Sequence, residues 1–266
     1  LDLVAYGLQV PLVLLAPHLG LVDVADHLLL IAAALAVPAA FVHVRMLRGL
    51  PRAMALWSVM AQHWRHGRYL LATAVLQWSS GNLFLAAAGA LLGPAAVGVL
   101  RMAQNLVGLL HVLFLALENK IPLEAARIRH GAGSAAMLRY VRHAAMQASV
   151  PTLVVLAVLV VFRVPLLELA YGVSGAAAAT VLVAFAGLYA LIFLGTFLRF
   201  AVRTLERNKV ILWSYVITTL FSVLAAAPLV RAHGLAGVMA GLFIVHGINL
   251  ALYFNSIRHE LTWASK

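Results

Sequence analysis

Residues 176–209, AAAATVLVAFAGLYALIFLGTFLRFAVRTLERNK, decide the fold. The first 23 of them, through Leu198, carry no charge; Arg199, Arg203, Arg207 and Lys209 then follow within 11 residues. A helix needs about 20 apolar residues to cross a bilayer. Lys and Arg concentrate in the connections kept on the cytoplasmic side. The stretch therefore reads as one membrane span running out into a cytoplasmic loop.

Working outward, the same unit recurs. Downstream, apolar segments at 210–230 and 235–253 read as two more spans. Upstream, spans are expected at 147–162, 95–121, 70–92, 28–44 and 3–17, the last kinked at Pro11. Gly93-Pro94 marks the turn between two of them, Pro122 the end or a kink of the next helix, and Gly131-Ala132-Gly133-Ser134 a hinge. The stretch VPLLELAYGVSG after Phe162 reads as a short non-cytoplasmic connection. Between Arg45 and Arg68, Trp57, Trp64 and Tyr69 beside Arg65 and Arg68 suit a helix lying in the membrane interface. The fold class is all-α: a polytopic transmembrane helical bundle of about eight spans.

Charge supports this layout. Of 19 Lys and Arg, 16 fall in alternate connections or in the tail, on one side. Arg163 and Arg231 lie opposite, and Arg101 is near a helix start. The net charge of +11 is thereby explained by topology and anionic headgroups, and nucleic-acid binding is not expected. With 64% hydrophobic residues and 10% charged, almost nothing is left for an aqueous domain. The chain has no cysteine, which excludes disulfides, thiol catalysis and thiolate metal sites. It opens at Leu1 inside an apolar segment, without Met or a basic leader region, so an internal fragment of a longer protein is expected.

The densest intramembrane polar set lies on the span 95–121. At 100° per residue Arg101, Gln104, Asn105, Gly108, His111 and Glu118 fall within roughly 140° of arc, one helix face. Polar groups at membrane depth face a bundle interior or a water-filled cavity. The stripe reads as a cavity wall, with Arg101 as the contact to an anionic or phosphate-bearing substrate. Arg101 and Glu118 also lie near the helix ends, where long side chains reach the headgroups, and Gln104 and Asn105 also suit interhelical hydrogen bonds. Gln77 and Ser80 share a face of the span 70–92 and read as the opposite wall, although small-residue packing explains Ser80 and Gly81 equally well. His246 and Asn249, at i and i+3, suit either packing or a proton-coupling role. Gly237 and Gly241 form a small-xxx-small pair for close helix contact.

Nothing points to an enzyme. The eight carboxylates are scattered, and no intramembrane pair is placed for acid–base work. The 11 histidines show no metal-ligand spacing, and no glycine-rich phosphate loop is present. No cofactor is expected.

The stretch 64–108, WRHGRYLLATAVLQWSSGNLFLAAAGALLGPAAVGVLRMAQNLVG, resembles the start of the C-terminal lobe of polysaccharide exporters and O-antigen flippases. These belong to the multidrug/oligosaccharidyl-lipid/polysaccharide (MOP) flippase superfamily. The resemblance is carried by Gly93 to Gly98 with Arg101-Met102-Ala103-Gln104, by Tyr171-Gly172 before Ala176 to Ala179, by Leu205 to Lys209, and by Pro228 to Gly237. Glu206 departs from it, since a glycine is expected in that loop. The resemblance implies a partial MOP-type fold. Residues 1–45 are the last two helices of a truncated N-terminal lobe, 46–68 a basic cytoplasmic or interfacial linker, 69–257 a six-helix C-terminal lobe and 258–266 a cytoplasmic tail.

The implied function is alternating-access transport of a lipid-linked oligosaccharide or polysaccharide precursor across the bacterial inner membrane. Arg101, Gln104, Asn105, His111, Gln77 and Ser80 would bind the substrate. The implied partners are the bilayer, the lipid-linked glycan, the missing N-terminal lobe and the enzymes of polysaccharide biosynthesis. Two alternatives stand beside it: a cation-coupled multidrug antiporter of the same superfamily, and a non-transporting membrane scaffold.

Overall fold

The computed structural model describes residues 11–12, 15–16, 23–48, 56–173 and 175–264. Among them every regular element is a helix. The chain divides into two compact units, Leu1–Arg65 and His66–Lys266.

In the first unit α1 (Val24–Arg48) is a Leu- and Ala-rich helix that continues through Pro38. It covers the expected span 28–44, and Leu28, Leu29, Leu35 and Phe41 along it are exposed. The expected span 3–17, with its kink at Pro11, lies mostly outside the described residues.

The helices that follow are α2 (Leu56–Leu92), α3 (Pro94–Val107), α4 (Leu109–Val161), α5 (Arg163–Tyr171), α6 (Ala176–Thr204) and α7 (Asn208–Ala264). Glycine and proline punctuate them. Gly93, at φ 88° and ψ 175°, occupies a region open essentially to glycine alone, and Pro94 opens α3 at a position where its missing N–H costs nothing. Gly133 has nearly the same torsions (φ 83°, ψ 176°) and breaks α4 into arms 109–132 and 134–161. The helix runs on through Pro122, so the break falls in the expected glycine hinge and not at the proline. No proline interrupts residues 56–92, and the Trp/Arg stretch and the third expected span accordingly form one continuous helix. The connection after Phe162 is itself helical, as α5, capped by Gly172 in the left-handed conformation.

Gly234 (φ 59°, ψ −133°) divides α7 into arms 208–233 and 235–264. The chain turns back there: Ser214, near the start of the first arm, hydrogen-bonds the Tyr253 hydroxyl in the second at 3.1 Å. Gly237 lies so close to the Leu229 carbonyl that a Cβ would collide with it, and a Cβ on Gly241 would strike the Phe84 ring. The small-xxx-small pair thus sits at two close contacts.

Among the described residues four helical stretches are long and apolar enough to cross a membrane: Leu71–Leu92, Leu109–Val161, Ala176–Thr204 and Asn208–Arg258. By length and composition the chain is a helical membrane protein. Val112, Val150, Leu153 and Leu224 are exposed on these stretches, an apolar surface suited to lipid. α6 is the most buried of the four, consistent with a sequence apolar on all sides. Its first half packs with Phe84, Leu100, Val230 and Leu242 in one core cluster. Its second half packs with Phe114, Met137, Tyr253 and Ile257 in another.

Candidate functional site

Arms from four helices converge on a cavity of about 220 Å³, in which polar side chains stand among apolar ones such as Leu115, Leu191 and Ile192. Each contributes residues at helical spacing, which puts them on one face. α2 supplies Gln77, Ser80 and Gly81, and the arm 109–132 supplies His111, Phe114 and Glu118. α6 supplies Thr196 and Arg199, the arm 208–233 Tyr215, and the arm 235–264 His246, Asn249 and Tyr253.

Hydrogen bonds across helices fix the walls. Ser222 donates its hydroxyl to the Ser80 carbonyl at 2.7 Å, and Thr219 donates to the Leu76 carbonyl at 2.9 Å. Both tie α2 to the first arm of α7. Ser214, Thr218 and Ser222 form a fully buried hydroxyl stripe at i, i+4 and i+8, each bonded to a carbonyl of the turn before it. Bonding of this kind satisfies the hydroxyls inside an apolar helix.

The charges in the cavity are compensated. Glu118 Oε2 lies 3.5 Å from Arg199 Nη2, and Glu118 Oε1 lies 3.5 Å from Arg203 Nη1. Arg199 also reaches the Tyr215 hydroxyl at 3.5 Å. One carboxylate therefore bridges two guanidinium groups one helical turn apart and links the arm 109–132 to the end of α6. By contrast, the buried side-chain oxygen Oδ1 of Asn249 has no hydrogen-bond partner among the described residues. A buried acceptor left unpaired costs about 1–3 kcal/mol.

The structure brings together Gln77, Ser80 and His111 of the residues singled out in the sequence, with Glu118, His246 and Asn249 beside them. It leaves Arg101, Gln104 and Asn105 elsewhere, on α3. Arg101 and Asn105 are exposed, and Arg101 Nη1 donates to Gln104 Oε1 at 2.9 Å. The physical reason is distance along the axis: Arg101 and Gln104 stand ten and seven residues before His111, roughly 15 and 10 Å at 1.5 Å each. The His111 N–H bonds the Gly108 carbonyl at 2.8 Å, an i to i+3 turn tighter than an α-helix.

Arg199, Tyr215 and Tyr253 were not singled out as site residues in the sequence. Arg199 belongs to the basic cluster that reads as topology, and only the turn-spaced Arg199 and Arg203 hint at a shared partner. No family model, curated protein or solved structure matches the chain.

Proposed function

We propose that this chain is part of a membrane transporter that moves a lipid-linked oligosaccharide or polysaccharide precursor across the bacterial inner membrane. One observation carries the reading most directly: a compensated polar cavity, rich in hydroxyl, amide and imidazole groups, inside an apolar helical bundle. Sugar hydroxyls both donate and accept, and Gln77, His111 and His246 offer matching partners. The sequence resemblance to polysaccharide flippases supplies the substrate class.

In this reading each glycine break, at Gly133 and Gly234, turns one long apolar helix into two passes. Six passes then follow the basic linker and two precede it. The Glu118–Arg199–Arg203 cluster lies toward the cytoplasmic end of the cavity, beside the basic connection. Arg101, Gln104 and Asn105, on α3, form a separate substrate contact. Substrate sites in such repeats lie between two lobes, so both are needed. The bound state of Glu118 weighs against the cation-coupled antiporter, because its charge is already met by two arginines. Biosynthetic enzymes dock at the basic connections.

Complementation tests the reading. The full-length gene should restore surface polysaccharide in a bacterial strain lacking its flippase, and Gly195→Leu should abolish the rescue. Gly195 lines the cavity, and nothing lies within 4 Å of the position its Cβ would take, so the leucine fills the cavity without a backbone clash. Rescue by the plugged variant at wild-type level would reject the cavity as the route.

A further inference from the structure

A second concavity, sharing no lining residue with the polar cavity, lies between the arm 134–161, α6 and the arm 235–264. It is a groove of about 560 Å³. Leu138, Phe193 and Phe197 form its buried floor, and Leu194 and Phe254 stand as exposed walls. Its one charged lining residue is Arg142. Arg142 is exposed and has no ion pair or hydrogen bond among the described residues.

The groove has a direction. Arg139 and Arg142 stand near the start of the arm 134–161, and Arg258 near the end of the apolar stretch of α7. From Phe193 to Ala201 it follows α6 for eight residues, roughly 12 Å at 1.5 Å each. One end is therefore basic and lies at helix ends, while the other is apolar and lies at mid-helix depth. A phospholipid has the same polarity: a phosphate at the interface and a chain in the hydrocarbon. Guanidinium matches phosphate oxygens in a bidentate fork, which a zwitterionic headgroup partly neutralises with its own cation.

We propose that this groove holds one acyl chain of an anionic glycerophospholipid, with the lipid phosphate on Arg142. The inference rests on the membrane reading and not on the identity of the transported substrate. A transporter that carried no glycan could still bind this lipid.

The test is lipid retention by the purified chain in detergent, read by native mass spectrometry. It is titrated with phosphatidylglycerol or with phosphatidylcholine of identical chains. One phosphatidylglycerol per chain should be held about tenfold more tightly than phosphatidylcholine, the size expected for one charge-assisted contact. Arg142→Gln should erase that preference, Arg142→Lys should keep part of it, and Ala251→Trp should displace the bound lipid. Both positions are exposed, so the variants are expected to fold. Inorganic phosphate should not compete, since it lacks the chain. Equal retention of the two lipids would overturn the proposal. So would a phosphatidylglycerol preference that survives Arg142→Gln, competition by inorganic phosphate, or a dimer lost in Ala251→Trp, which would assign the groove to a second copy.

Discussion

Replacing Glu118 by Gln should separate its two arginine contacts by their exposure. Both oxygen–nitrogen distances are 3.5 Å, so geometry alone gives no preference. Two unit charges at that separation attract by about 5 kcal/mol at an effective dielectric of 20 and about 1 kcal/mol in water. The Arg199 side chain is 22% exposed and that of Arg203 58%. Without the carboxylate, Arg199 keeps only the Tyr215 hydroxyl at 3.5 Å, whereas Arg203 is rehydrated. The Arg199 pair should therefore contribute about 2–3 kcal/mol and the Arg203 pair about 0.5 kcal/mol. Double-mutant cycles built from Glu118→Gln with Arg199→Gln, and with Arg203→Gln, measure this by unfolding in mixed lipid–detergent micelles. A coupling energy of about 2–3 kcal/mol is expected for the first cycle and about 0.5 kcal/mol for the second. Equal couplings, or two values near zero, would refute the argument that burial sets the strength of this cluster.

Gly241→Ala should destabilise by about 1–3 kcal/mol, because the new Cβ meets the fully buried Phe84 ring, while Gly98→Ala, whose Cβ meets open space, should be close to neutral in the same unfolding assay. Glu206→Gly should stabilise by about 0.5–1 kcal/mol, seen as a higher melting temperature. Glu206 is held at φ 62°, a conformation costing about 1–2 kcal/mol for a non-glycine residue, and its exposed ion pair with Arg129 returns less than that. Cysteines at Ala132 and Leu169 should label from opposite faces of the membrane with an impermeant thiol reagent; labelling from the same face would overturn the charge-based topology.

Much of the helical layout was legible because glycine and proline mark it. Gly93-Pro94, the Gly131–Ser134 hinge, Gly172 and Gly234 stand where the backbone leaves helical geometry. Pro122, expected as an end or a kink, does not end the helix, which loses one donor there and runs on. Glu206 is the reverse case. The resemblance expected glycine there, and Glu206 is the one described non-glycine residue with positive φ. Its N–H bonds the Arg203 carbonyl and that of Arg207 bonds the Val202 carbonyl, the helix-ending pattern in which glycine is usual. The site was legible one helix at a time. Spacing puts Gln77 with Ser80, and His246 with Asn249. Nothing local tells that these faces meet, or that Glu118 and Arg199 pair across 81 positions. A face drawn at 100° per residue does not tell how far along the axis a cavity extends, and the lining of this one does not include Arg101, Gln104 or Asn105.

The central claim, carriage of a lipid-linked glycan past this polar cavity, is tested most directly by flipping in proteoliposomes. The protein would be reconstituted with a fluorescent lipid-linked oligosaccharide in the inner leaflet. Arrival in the outer leaflet would be followed with a membrane-impermeant quencher. Wild type should move the label well above protein-free vesicles, and Gly195→Leu should fall to that background while remaining folded. A flipping rate no greater than that of empty vesicles, or an undiminished rate in the plugged variant, would contradict the account.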